Sequence, residues 1–175
     1  MSDQRTRGER ILLWWAQGMG TGRAKVAPGT WGTIPGLALT ALLLIPGNLW
    51  FFIIACILSI PLSVHLCTRA EQILNKRDPG SVVIDEIIAV PISFLYWIFD
   101  FKSRTGLMPT VENLFVDNLL VVGLIFAAFR FFDILKPWPV GPSQKFPKGW
   151  GVTIDDVLAA GYVNLGTFIV LLIRS

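Results

Sequence analysis

Apolar residues gather into long runs along this chain, and five stretches stand out, at about 34 to 46, 49 to 67, 82 to 99, 114 to 132 and 154 to 173. A segment crossing lipid must satisfy its backbone groups internally, so each run is expected to be a helix. The first is short of the roughly 20 apolar residues that a bilayer takes, and Pro91 interrupts the third. Gly47-Asn48 joins the first two as a tight hairpin. The pattern predicts an all-α, polytopic membrane helical bundle of about five spans, forming a single domain over 1–175. Residues 1–33 form a cytoplasmic segment with a Gly-rich loop.

Composition supports the membrane. Of the 175 residues, 53% are apolar and 15% charged, more apolar side chain than a soluble core this small could hide. The first ten residues are polar, and the run Ile11 to Ala16 is too short for an apolar signal core, so the spans themselves are expected to direct insertion. Cys56 and Cys67 lie in or beside one apolar run without CxxC spacing and read as packing residues. The net charge of +3 comes from scattered cations and forms no basic stripe, which argues against nucleic acid as a partner.

The connections differ in charge. Arg5, Arg7, Arg10, Arg23, Lys25, Arg69, Lys76, Arg77, Arg130, Lys136, Lys145 and Lys148 fall on one side of the alternating spans. Only Lys102, Arg104 and Arg174 fall on the other. The richer side is expected to be cytoplasmic. The segments with unusual chemistry all fall on that side.

Four segments could carry chemistry. In Ser81-Val82-Val83-Ile84-Asp85-Glu86-Ile87, two acids sit inside an apolar run, where carboxylates are ordinarily paired, cation-bound or lining a polar cavity. The plainer alternative is that Ser81 caps a helix whose positive end both acids complement. Asp155 and Asp156 form a second doublet, for which a capping box from Thr153 to Asp156 is the structural alternative. Two doublets at span entrances would repel each other unless something positive lay between them, and a divalent cation would serve. In Phe129 through Pro139, a helix continuing to Lys136 would place Arg130, Asp133 and Lys136 on one arc, offering a phosphate group a guanidinium and an ammonium. There, snorkelling cations with Trp138 in an aromatic belt are the alternative. The stretch Gly18 to Thr33 is rich in glycine, hydroxyls and cations and could aim backbone N–H groups at an anion, although it lacks the Gly-Lys-Ser/Thr ending of a P-loop and also fits a flexible surface loop. Asp78-Pro79-Gly80 suits a turn, and His65 reads as a packed or interfacial histidine.

Oxygen ligands without a His or Cys cluster favour magnesium, with manganese as a substitute. Carboxylates, a metal, Arg130 and Lys136 at a bilayer surface describe phosphoryl transfer on a phospholipid headgroup. One histidine excludes a two-histidine phosphatase. No cysteine begins a loop ending in Arg five residues later, and no Asp-x-Asp is present. The favoured nucleophile is a metal-activated water, with an attacking carboxylate as the alternative.

Ala27-Pro28-Gly29-Thr30-Trp31-Gly32-Thr33, Asp78 through Glu86, Phe129 through Pro139, and Ile154-Asp155-Asp156 together resemble, in order, the motif blocks of the phosphatidylglycerophosphatase A family. The resemblance implies magnesium-dependent hydrolysis of phosphatidylglycerophosphate to phosphatidylglycerol and phosphate in a bacterial inner membrane. By position it implies a catalytic set of Asp85, Glu86, Asp133, Asp155 and Asp156, with Thr30, Arg130 and Lys136 near the phosphate. By position it also implies Asp78 as an acidic residue of the site, and we take all six acids as the candidate metal ligands. The family usually places Gly where this chain has Ala89 and Ala160.

The principal alternative is a membrane cation transporter or metal-binding scaffold. A transport path should place ionisable residues near mid-membrane, and only Asp117 comes close. A lipid phosphotransferase is disfavoured because the spaced Asp-Gly and Ala-Arg signature is missing. The sequence specifies no oligomeric state.

Overall fold

The computed structural model describes residues 5–174, so the first four residues of the N-terminal segment and Ser175 lie outside it. Among the described residues the regular elements are all helical. Eight α-helices follow one another: α1 Arg7–Ala16, α2 Pro28–Leu44, α3 Leu49–Leu74, α4 Ile84–Ser93, α5 Leu95–Thr105, α6 Leu119–Leu135, α7 Val140–Ser143 and α8 Gly149–Arg174.

Each of the five apolar runs falls on helix. Two helices, α3 and α8, are long and apolar enough to cross a membrane. At about 1.5 Å per residue each extends to about 39 Å, beyond the roughly 30 Å of a hydrocarbon core. Only 22% of the most apolar window of each is buried inside the protein, so neither is the core helix of a soluble fold. Their outward faces carry Trp50, Ile54, Leu58, Phe168 and Ile169, which suits a lipid surround.

The third run is broken. Pro91 lacks a donor N–H, and the helix ends at Ser93 before resuming as α5 at Leu95. Asn164 of α8 fills the break: its Oδ1 accepts from Tyr96 N–H at 2.7 Å, and its Nδ2 donates to the Ile92 and Ala160 carbonyls, each at 2.8 Å. A side chain on a membrane-length helix thus satisfies backbone groups left open where the helix breaks.

At the hairpin, Asn48 caps α3 by accepting from Phe51 N–H at 3.0 Å. α2 nevertheless packs chiefly on α4, and α4 also packs on α3 and α8. The central core gathers Phe52, Ile88, Ile98, Val122, Phe129 and Val163. Ala89 and Ala160, where the family usually has glycine, are both fully buried in it, so the extra methyls fit. Cys56 and Cys67 are buried and unbridged, as the sequence predicts, and His65 is exposed, which removes the packed reading of it and leaves the interfacial one.

The polar first ten residues conceal a helix. Thr6 and Glu9 form a capping box, and α1 buries Leu13 and Ala16 against Cys67 and Ala70 of α3. After it, Gly18–Arg23 makes a tight ordered turn. Its Gly22 lies so close to the Ser81 carbonyl that any Cβ would overlap it. The segment therefore buttresses the approach to α4 and is not a loose surface loop.

Candidate active site

Four regions supply the site. The first turn of α4 carries Asp85 and Glu86, and the end of α6 carries Arg130 and Asp133, with Lys136 closing that helix. The second turn of α8 carries Asp155 and Asp156, and the turn before α4 carries Asp78. All eight line one cavity of about 350 Å³, together with Ala27, Pro28 and Gly29 from the start of α2. Thr30 is not among the lining residues, so of the predicted site residues it alone is left outside this wall.

Neither doublet is a helix cap. Ser81 instead accepts a hydrogen bond from Gln17 Nε2 at 3.0 Å, and Gln17 in turn accepts from Arg23 at 2.7 Å. The residue that starts α4 is Val83, which has no capping side chain. α8 begins at Gly149, so Thr153 lies inside the helix, where its hydroxyl pairs with Ser63 Oγ at 3.0 Å. Capping by Ser81 and by a Thr153–Asp156 box therefore fails, although Asp85 and Glu86 do lie in the first turn of α4, where they complement its positive end. The acids face the cavity.

The arc proposed for Arg130, Asp133 and Lys136 is only partly present. α6 stops at Leu135, and Lys136 turns left-handed with φ 47°. Pro137 disfavours right-handed helix at the preceding residue, which ends α6 there. The same local chemistry recurs around the cavity. Ala27 before Pro28 has φ 47° and Asp78 before Pro79 has φ 45°. Three of the lining positions are thus pre-proline residues held left-handed, a conformation that costs a non-glycine residue about 1–3 kcal/mol and concentrates at functional sites.

The cations are spoken for by three of the acids. Arg130 Nη1 reaches Asp133 Oδ2 at 2.7 Å and Glu86 Oε1 at 3.2 Å, and Lys136 Nζ reaches Asp155 Oδ2 at 2.5 Å. Burial alone would lower the Lys136 pKa. The Asp155 hydrogen bond and charge, with the charges of Asp133 and Asp156, outweigh that effect and raise it above its ordinary value. Glu86 Oε2 and Arg130 Nε are buried without a hydrogen-bond partner.

Asp85 and Asp156 are 7% and 3% exposed and form no ion pair among the described residues. Asp85 Oδ1 accepts only the neighbouring Glu86 N–H, at 3.1 Å. The cavity thus sets six carboxylates against two cations. Leaving buried like charges uncompensated is expensive, so the donor set fits a bound cation of hard, oxygen-seeking character. No three acidic, His or Cys groups among the described residues stand close enough to hold a metal by themselves.

Gly29 brings α2 into the site. A Cβ there would overlap Glu86 Oε1 and come within 2.8 Å of Arg130 Nη2. Sequence reasoning did not find this close approach, nor Gln144, whose side chain stands beside Asp155. The Gly29-Thr30 pair carried the only hint, and the hint favoured the hydroxyl over the glycine.

Fold and cavity together define a class: an all-helical protein with two membrane-length helices and an acid-lined chamber whose two cations suit a phosphate group. The family model of Phosphatidylglycerophosphatase A matches residues 14–171, and the chain belongs to that family and is an enzyme, a phosphatase. A relative from Haemophilus influenzae named phosphatidylglycerophosphatase A is 35% identical over 154 residues, covering 87% of this chain and 84% of the relative. One of the same name from Escherichia coli is 29% identical over 153 residues, covering 86% and 77%. A Bacteroides thetaiotaomicron protein, provisionally named a phosphatidylinositol-3-phosphatase, is 33% identical over 150 residues, covering 83% and 84%. No solved structure matches the chain significantly.

Proposed function

We propose that the protein hydrolyses the phosphomonoester of phosphatidylglycerophosphate, giving phosphatidylglycerol and inorganic phosphate, with magnesium as cofactor and manganese as a substitute. The reading is supported above all by the convergence of Asp78, Asp85, Glu86, Asp133, Asp155 and Asp156 on one cavity with Arg130 and Lys136. The reaction would take place at the cytoplasmic face of a bacterial inner membrane. There the five apolar runs act as spans, and the cation-rich connections remain on the side of synthesis.

Asp85 and Asp156, the buried acids without an ion-pair partner, would hold the metal, which when bound neutralises phosphate charge and acidifies a water. Arg130 offers its guanidinium to phosphate oxygens, and Glu86 and Asp133 hold that guanidinium in place. Lys136 stays protonated and provides a fixed positive charge for the phosphate. A carboxylate of the cavity accepts the proton of the attacking water. That water's oxygen bonds to phosphorus as the ester P–O bond breaks, and the departing glycerol oxygen takes up the proton that the carboxylate received.

The decisive assay is phosphate release from phosphatidylglycerophosphate by purified protein in detergent, with and without magnesium, beside phosphatidylinositol 3-phosphate at equal concentration. Release from the first lipid, only with magnesium, is expected to fall at least about 100-fold in Asp85→Asn and in Asp156→Asn. Metal-independent release, or near-normal turnover by both variants, would overturn the mechanism. Preference for the inositol lipid would overturn the substrate.

A further inference from the structure

The acid chamber opens onto further space. Across Asp78 and Val152 it adjoins a second cavity of about 380 Å³ lined also by Arg77, Gln144 and Lys148. That cavity shares Arg77, Lys148 and Glu71 with an outer, more open basin of about 560 Å³, where Lys76 and Lys145 join the wall.

Charge changes sign along this path. The chamber sets six carboxylates against two cations, whereas in the outer basin four exposed cations, Lys76, Arg77, Lys145 and Lys148, face one carboxylate, Glu71. That carboxylate is already engaged, accepting the Asp78 N–H at 2.9 Å. Arg77 is held in place, since its Nη2 donates to the Gln144 carbonyl at 2.8 Å. Gln144 also places its side chain beside Asp155, so a single residue touches both the acid chamber and the basic passage. The basin lies at the last turn of α3, which ends at Leu74, and just before the start of α8 at Gly149, and so at the ends of both membrane-length helices.

We propose that this basin is a second phosphate-binding site, a release port for inorganic phosphate. Phosphate freed in the chamber passes Asp78 and Arg77 and is received by Lys76, Lys145 and Lys148 before leaving to water. The inference rests on the phosphatase reading above. A phosphate dianion among carboxylates is repelled, and a cationic wall a few residues away draws it outward. The lipid product keeps its acyl chains in the membrane, so the two products part in different directions.

A lipid headgroup carries the same phosphate chemistry, and the test separates the two sources. Protein stripped of divalent ions by a chelator is titrated with inorganic phosphate in nonionic detergent, and its binding of phosphatidylglycerol over phosphatidylcholine is measured in nanodiscs. Arg130 and Lys136 also offer cations to phosphate in the chamber, so the variants at Lys145 and Lys148 assign the binding to the basin. The wild type is expected to bind inorganic phosphate, and the Lys145→Glu/Lys148→Glu variant to bind it at least about tenfold more weakly. The Lys145→Arg/Lys148→Arg variant, which keeps the charge, should bind as the wild type does. Inhibition of turnover by added phosphate should weaken at least about threefold in the Glu variant. No saturable phosphate binding, equal binding by the Glu variant, binding of the anionic lipid alone, or unchanged product inhibition would each overturn the port. Phosphate binding by a wild type that hydrolyses no lipid phosphomonoester would leave the basin as an anion site and remove the reading of the chamber.

Discussion

Lys136 Nζ stands 2.5 Å from Asp155 Oδ2, so the left-handed residue that closes α6 is fastened to the second turn of α8. Asp155 is 2% exposed and Lys136 29%, which makes the carboxylate the partner that suffers if the pair is broken. Lys136→Met should destabilise the protein by about 2 kcal/mol, below the 3–5 kcal/mol of a fully buried pair because the ammonium is partly wet. The Lys136 pKa is raised on folding, so its contribution is fully present below the ordinary value of 10.5 and is lost only as pH rises through the higher folded value. The stability difference between wild type and Lys136→Met, from unfolding in detergent, should therefore not shrink between neutral pH and about pH 10. A difference that shrinks over that range would mean that the ammonium titrates early and the bond is weak.

The site was legible in the sequence wherever chemistry and burial conflict. Asp85, Glu86, Asp155 and Asp156 stand out because apolar neighbours flank acids, and all of them line the cavity. What escaped depends on long-range approach. Gln144 looks like any loop glutamine until α7 brings it beside Asp155, and the Gly29 contact with Glu86 depends on how α2 lies over α4. The helices were legible from their apolar runs, but α1 was hidden by a polar face, and the tie from Asn164 across the α4–α5 break joins residues about seventy apart. Pro137 announced where α6 ends, but not that Lys136 would turn left-handed and so break the expected arc.

Asn164 gives a prediction about the fold. Its amide completes the hydrogen bonding of Tyr96 N–H and the Ile92 carbonyl where α4 gives way to α5. Asn164→Leu keeps much of the volume and strands both groups, each at about 1–3 kcal/mol. The variant should unfold at markedly lower temperature, and hydrogen exchange should accelerate at Tyr96 before it does so in the middle of α3. Uniform acceleration along the chain would show that the break is held by something else.

Gly29 should tolerate no side chain. A Cβ would have to displace the Glu86 carboxylate and the Arg130 guanidinium, the two groups that define one wall of the chamber. Gly29→Ala is expected to cost about 1–3 kcal/mol in stability and to lower kcat/KM at least about tenfold through the displaced guanidinium. The neighbouring Thr30→Ala, outside the cavity wall, should lower it far less. Equal losses in the two variants would restore Thr30 to the site.

Ala27 offers a test of backbone conformation that leaves the chemistry of the chamber untouched. It is exposed, so no packing limits its size, yet its φ of 47° before Pro28 fixes how α2 starts and where Gly29 lies. A β-branched side chain is poorly tolerated in the left-handed region, whereas glycine adopts it freely. Ala27→Val should therefore destabilise by about 1–3 kcal/mol and reduce turnover even though the space around it is open. Ala27→Gly should retain turnover, because the relief of strain is offset by the greater freedom of the unfolded chain. Matched thermal unfolding and phosphate-release assays on the two variants decide the matter. If valine were as well tolerated as glycine, the left-handed corner at Ala27 would not be a fixed part of the site.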